Sequence, residues 1–310
     1  MGALFKLWGQ PKLQSPSLIV GWSVDTGNLG AKVTDYLNRK LACQSFAEIE
    51  PVGFFPLGGT AVEDDMARFP ESKFYYCSRN DLVIFIGDPP SYKWYKFLNL
   101  ILDIAEHYCP VKELYTIGGM ISLGPSTASR ELLGTFNSPE LKKTLSPYNF
   151  YNLTRELDYE TPPGQRPTLS SFLLWTAKRR NIPGVNLWVP IPYRLVAMDD
   201  PKAEKRVLEF FNQRFDLQID LSDLDEEIAR PILTDQCQFI VAAGGARVVA
   251  HTQDHELSFA MPISKAEVIA EQLKVTHEAG ARYPINSYLA YELPFPKGFV
   301  DCMDYLRQDD

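Results

Sequence analysis

Along the chain, short uninterrupted apolar runs alternate with segments in which apolar residues recur every three or four positions, the pattern of strands followed by amphipathic helices. Leu18-Ile19-Val20-Gly21 is such a run, and a helical stretch from about residue 29 to 41 follows it. Residues 45 to 55 read as a second strand ending at Pro56, and the aromatic-rich segment from Lys73 to Cys77 as a third. Leu82-Val83-Ile84-Phe85-Ile86 is apolar on both alternating faces, which a central strand of a parallel sheet needs because helices cover both its sides. Gly87-Asp88-Pro89-Pro90 then forces a turn. Trp94, Phe97, Leu98, Ile101, Ala105 and Tyr108 form one helical stripe ending near Cys109-Pro110. Glu113 to Ile117 is the next strand, closed by Gly118-Gly119.

The alternation continues downstream. Residues 168 to 180 read as a helix, and Val185 to Val189 as a strand stopped by Pro190 and Pro192. Asp200-Pro201 supplies a cap and a first-turn proline for a helix burying Val207, Phe210 and Phe211. The acidic stretch from Asp220 to Glu227 resembles a solvated helix start or a linker, and the main α/β domain is expected to span 16–230. In the remaining 231–310, Gly244-Gly245 between two apolar runs predicts a hairpin, and Ser264 with Glu267 predicts a capped helix that Gly280 closes. The expected fold is a doubly wound, mostly parallel sheet with helices on both faces, followed by a small C-terminal helical extension.

Composition narrows the function classes. The 310 residues are 45% hydrophobic and 23% charged, an ordinary globular balance. A formal charge of -8 without a basic cluster argues against nucleic acid and anionic membranes as partners. The five cysteines, Cys43, Cys77, Cys109, Cys237 and Cys302, are scattered without metal-ligand or redox-motif spacing, so buried free thiols in a cytoplasmic protein are expected. Residues 1–17 contain no apolar stretch of signal-peptide length, and no window of about 18 apolar residues occurs.

Candidate chemistry concentrates where parallel sheets bind ligands, beyond the carboxyl ends of the strands. Asp88, Gly118, Gly119 and Tyr193 fall there, with Ser126, Thr127 and Arg130 close behind. An arginine with hydroxyls and glycine amides suits a phosphate or a carboxylate. The alternative is that the glycines make tight turns, Asp88 caps the proline-rich turn and Arg130 pairs with Glu131 or a surface carboxylate. His251 and His255, four apart, lack a third ligand, so no metal and no cofactor is expected. Glu63, Asp64 and Asp65 read as a solvated first helical turn, and no Gly-x-Ser-x-Gly elbow or groupable Ser, His and acid is present.

An apolar first strand, the segment from Asp81 to Pro90 before an aromatic-containing helix, Tyr115 to Gly119 entering a Pro/Ser/Thr/Arg loop, Pro163-Gly164 before a helix and Pro192-Tyr193 after a strand together resemble the proteasome assembly chaperone 2 family over roughly residues 16 to 215. The resemblance implies a phosphorylase-like α/β fold, homo-oligomers and, for some members, an assembly-chaperone role with a protein partner. Members that engage a proteasome typically end in hydrophobic-Tyr-X, whereas this chain ends Leu306-Arg307-Gln308-Asp309-Asp310, so docking by that device is not expected. Many relatives read Pro-His-Tyr where this chain has Ile191-Pro192-Tyr193, which removes a histidine suited to act as a base. The aromatic content of 12% also favours self-association. Two readings follow: a non-catalytic, homo-oligomeric chaperone-like or scaffold protein, and a small-molecule enzyme of phosphorylase or hydrolase type using the strand-end cleft.

Overall fold

The computed structural model describes residues 4–56, 61–63, 66–122, 129–148, 167–196, 198–229, 236–242, 245–251 and 256–261. The chain divides into two compact units, Met1–Ile228 and Ala229–Asp310. In the first unit the described elements are, in order, β1 (Phe5–Leu7), β2 (Ser17–Trp22), α1 (Leu29–Lys40), β3 (Gln44–Ile49), β4 (Ala61–Glu63), β5 (Met66–Arg68), β6 (Ser72–Cys77) and β7 (Leu82–Gly87). They continue with α2 (Trp94–Tyr108), β8 (Glu113–Ser122), β9 (Leu133–Phe136), α3 (Pro139–Leu145), α4 (Leu169–Arg179), β10 (Gly184–Pro192), α5 (Pro201–Phe215) and α6 (Ser222–Ala229).

Eight strands form one mixed sheet in the order β1-β3-β6-β7-β2-β8-β10-β9. Its centre, β7-β2-β8-β10, is parallel, and the remaining pairs are antiparallel. These four central strands are the four runs that the hydrophobic pattern singles out. Alternation along them divides the core in two. Ile19, Ile84, Tyr115 and Ile117 pack with Leu29, Val33 and Leu37 of α1 and with Val207, Phe210 and Phe211 of α5. Leu18, Val20, Val83 and Phe85 pack on the other side with Phe97, Leu98 and Ile101 of α2 and Leu169 and Leu173 of α4. Helices on both faces explain why β2 is buried at all six positions.

Several boundaries differ from expectation for local reasons. β1 lies before residue 16 and joins the sheet edge by pairing with β3. β8 runs through Gly118 and Gly119 instead of stopping there, because the glycines make room inside the strand. A side chain at Gly118 would meet the Trp188 ring at 2.8 Å, and one at Gly119 the Thr26 carbonyl oxygen at 2.1 Å. β10 likewise runs past Pro190 to Pro192: β9 pairs with it only as far as Trp188, so beyond that point the prolines face an edge without a described neighbour. Ala61–Glu63 is a strand paired with Met66–Arg68, not a first helical turn.

The free-thiol expectation is corrected at two cysteines. Cys43 and Cys77 form a disulfide. They lie one step beyond the Gln44–Tyr76 pair of β3 and β6, and their Cα atoms are 4.6 Å apart, the spacing of directly opposed antiparallel residues. Thirty-four residues separate them in sequence, so only the strand register reveals the pair. Cys109 is free and buried, and burial pushes its thiol up to about 12, which makes it an inert core residue.

In the second unit the described residues are β11 (Gln236–Ala242), β12 (Gly245–His251) and β13 (Glu256–Met261), an antiparallel sheet in that order. Ala242 stands opposite Gly245 in the register of β11 and β12. His251 ends β12; His255 and the helix expected from Ser264 lie outside the described residues.

Candidate functional site

Because β7, β2, β8 and β10 are parallel, their carboxyl ends share one edge of the sheet. Asp88 follows β7, the 23–28 loop follows β2, Gly118 and Gly119 lie in the last turns of pleat of β8, and Tyr193 follows β10. Four of the expected residues are therefore brought to one edge by topology alone. Arg130 lies three residues before β9, and Ser126 and Thr127 lie outside the described residues.

Internal partners engage the polar groups at this edge. Asp88 accepts from the Ser23 hydroxyl with one oxygen and from the Glu71 amide at 2.9 Å with the other. It thereby ties the β7 exit to the β2 exit and to the start of β6. Arg130 donates through Nε to Asp200 at 2.6 Å, and the two side chains are 3% and 2% exposed. Asp200 also accepts from the Ala203 amide at 3.2 Å, capping α5, so one carboxylate fixes a loop arginine and a helix start together. Tyr193 is about half exposed.

Asp25 is the functional-looking residue that the sequence reading missed. Its carboxylate accepts from the Gly30 amide at 3.1 Å and the Gly119 amide at 3.3 Å. It thus occupies the position between a helix start and a glycine amide where an anion would sit. Burial pushes this carboxyl up to about 7, against the amide hydrogen bonds of Gly30, Gly119 and Leu29, which favour the anion. An acidic residue between a strand and a helix was the available signal, but a single 3-10 turn, Thr26–Asn28, separates Asp25 from α1 and disguises its capping role. The turn uses Gly27 at φ 72, whose amide donates to the Val196 carbonyl at 2.9 Å and so anchors the loop to the segment after β10.

Exposed apolar side chains mark the same edge. Val24 lies beside Asp25, Ile121 stands opposite Ile191 near the end of β8, and Tyr193 and Met198 follow β10; all four are substantially exposed. A second aromatic group, exposed Tyr95 and Trp175 with partly buried Phe172, lies across α2 and α4. Among the described residues, no cluster of three or more His, Cys, Asp or Glu side chains is placed to hold a metal, and no helix is long and apolar enough to cross a membrane.

A sequence model of the PAC2 family matches residues 18–230, which covers all four central strands and the edge just described. The chain belongs to the PAC2 family. This family relationship agrees with the mixed sheet and its two helical layers. Similar solved structures include the archaeal proteasome activator PbaB from Pyrococcus furiosus, at 22% identity and TM-score 0.60, covering 72% of this chain and 93% of that one. PbaA from the same organism, an archaeal homologue of proteasome-assembly chaperone, is 19% identical with TM-score 0.57, covering 89% and 93%. A Mycobacterium tuberculosis proteasome-assembly chaperone homologue is 18% identical with TM-score 0.56, covering 71% and 97%. At these identities the likeness establishes the fold. A comparison with curated proteins gave no match.

Proposed function

We propose that this PAC2 protein is a non-catalytic, homo-oligomeric chaperone-like protein that binds a protein partner through the carboxyl edge of its central strands. One observation carries the reading: the polar groups there are held by internal partners, while Val24, Ile121, Tyr193 and Met198 are left exposed. An edge whose amide and guanidinium already face Asp25 and Asp200 offers little to a small anion, whereas apolar and aromatic side chains suit a protein surface. The similarity to a proteasome activator and to assembly-chaperone homologues supports proteasome subunits as the partner class, with the cytoplasm as the place of action.

The second reading, a small-molecule enzyme at the same edge, draws support from Asp25, whose carboxyl exchanges its proton near neutrality. Light scattering and binding assays with purified proteasome core particles and their separated subunits test the first reading. A mass that is a multiple of 35.1 kDa is expected, with binding that weakens at least tenfold in a Val24→Asp, Ile121→Asp variant of unchanged mass. A monomer across a wide concentration range refutes the oligomer, and binding unaffected by the double substitution refutes the edge as the docking surface.

A further inference from the structure

On the helical layer over one face of the sheet, α2 and α4 lie side by side and carry three aromatic rings in mutual contact. Tyr95 stacks on Phe172 at 6.3 Å between centroids, Trp175 lies 5.4 Å from Phe172, and Tyr95 and Trp175 are 6.3 Å apart. Phe172 is partly buried against the core, whereas Tyr95 is 52% and Trp175 45% exposed. Core packing thus accounts for Phe172 and leaves the other two rings in water, where a contiguous apolar surface marks a place for a partner.

The charges around the rings are unbalanced. Among the described residues, the acids of this face are Asp103 and Glu106 of α2, and both pair with Arg180 at 2.7 Å, while the Asn99 side-chain oxygen accepts from the same guanidinium at 2.5 Å. Lys178 and Arg179 follow Trp175 by three and four positions and so flank it on the surface of α4, and Lys96 stands three positions before Asn99 on α2. These three cations are exposed, and none has an ion pair among the described residues. Arg179 lies over the Trp175 ring, its Cζ 5.1 Å from the centroid. A guanidinium held on an indole keeps N–H donors at its edge for a carboxylate, so Trp175 both offers apolar area and positions a charge. In a chain of net charge -8, this face carries an excess of positive charge.

We propose that the α2–α4 face is a docking surface for an acidic segment of another protein that carries aromatic or aliphatic side chains between its carboxylates. The apolar side chains of that segment cover Tyr95 and Trp175, and its carboxylates reach Lys96, Lys178 and Arg179 at the rim. Trp, Tyr and Arg carry most of the binding energy at protein interfaces, and complementary charge sets register and the rate of encounter. A second copy of this chain fits less well, because a two-fold contact sets the patch against itself and brings two groups of unpaired cations together. A single-stranded nucleic acid needs open ring faces on which to stack its bases, whereas each ring here already packs against the other two. The net charge of -8 further opposes a long polyanion. This surface shares no residue with the patch of Val24, Ile121, Tyr193 and Met198 at the carboxyl edge, so its occupancy is tested separately.

Fluorescence anisotropy on the full chain tests the surface with three labelled synthetic peptides of equal length. One alternates Asp or Glu with Leu or Phe, one has its acids replaced by Asn and Gln, and one has its apolar residues replaced by Ser. The first is expected to bind about tenfold or more tightly than either of the others, and its affinity to fall with added salt, because exposed charges are screened. Trp175→Ala and the pair Lys178→Gln, Arg179→Gln each weaken its binding about tenfold, while the Val24→Asp, Ile121→Asp variant binds it as wild type does. No saturable binding of the first peptide up to about 1 mM overturns the proposal, as does equal binding of the neutral peptide or an unchanged affinity in either the Trp175 or the Lys178 and Arg179 variant. A fall in the mass of the assembly on Trp175→Ala would assign the face to a second copy, and tighter binding of a single-stranded oligonucleotide than of the peptide would assign it to nucleic acid; either overturns the proposal. If Trp175→Ala fails to fold, the paired charge substitution decides, since both side chains are exposed.

Discussion

Arg130 offers the sharpest separation between a ligand-binding and a structural side chain. Its pairing with Asp200 is almost completely buried, and Asp200 also caps α5. Replacing Arg130 by Met fills much of the same volume but leaves a buried carboxylate without its cation, a loss of about 3–5 kcal/mol for a broken buried pair. For a unit of 150–250 residues, each kcal/mol moves the midpoint by roughly 2–4 °C, so the variant should melt roughly 6–20 °C lower. Asp200→Asn retains an oxygen for the Ala203 amide and costs less, and the double variant should recover most of the loss because no uncompensated charge remains. Tryptophan fluorescence during urea unfolding reads the first unit alone, since all five tryptophans, Trp8, Trp22, Trp94, Trp175 and Trp188, precede residue 229. A loss below about 1 kcal/mol for Arg130→Met, with the two substitutions additive, would refute the structural assignment. A variant whose ligand-free midpoint is unchanged but which loses a phosphate-induced shift seen in wild type would instead restore the anion-binding role.

Three further outcomes follow from the same contacts. Gly119→Ala places a Cβ 2.1 Å from the Thr26 carbonyl oxygen, so it should lower stability by about 1–3 kcal/mol in the same urea titration; an unchanged midpoint would show that the loop after β2 yields freely. Asp25 keeps its proton to about 7 in the folded protein against 3.8 ordinarily, so folding binds a proton between those values and stability should fall as pH rises through them. Asp25→Asn should flatten that slope, and an unaltered urea-midpoint profile from pH 4 to 8 would exclude Asp25 as its source. Reducing Cys43–Cys77 opens a loop of about this 34-residue separation, which chain entropy values at about 4 kcal/mol, and dithiothreitol should lower the unfolding midpoint accordingly; no change would mean that strand pairing alone holds β3 against β6.

The parts of the fold that announce themselves in sequence are those whose burial is two-sided. β2, β7, β8 and β10 stand out because both alternating positions are apolar, which periodicity reads directly, and the stripe of α2 is legible for the same reason. β1 is too short to carry a period. Gly118, Gly119 and Pro190 look like strand terminators, yet each sits inside a strand where a ring, a carbonyl or a bare edge makes its unusual chemistry fit, while Pro192 does end β10. The placement of the candidate residues was half visible. Topology placed Asp88, Gly118, Gly119 and Tyr193 on one edge, as parallel strands require. The partners that decide what those residues do are remote in sequence: Ser23 lies 65 positions from Asp88, Asp25 lies 94 from Gly119 and Asp200 lies 70 from Arg130. No local pattern encodes such pairings.

The position of β2 also bears on how the protein is made. Ser17–Trp22 is synthesised before both of its neighbours in the sheet, β7 and β8, the later of which ends at Ser122. At about 5–20 residues per second, the strand that ends fully buried waits roughly 5–20 s, with Leu18, Ile19 and Val20 unpaired, before both sides of its ladder exist. During that interval the nascent chain carries an apolar strand with two open edges, the form most prone to pairing with the wrong partner. The order of strands in the chain, set against their order in the sheet, thus gives the nascent protein an interval in which β2 needs shielding.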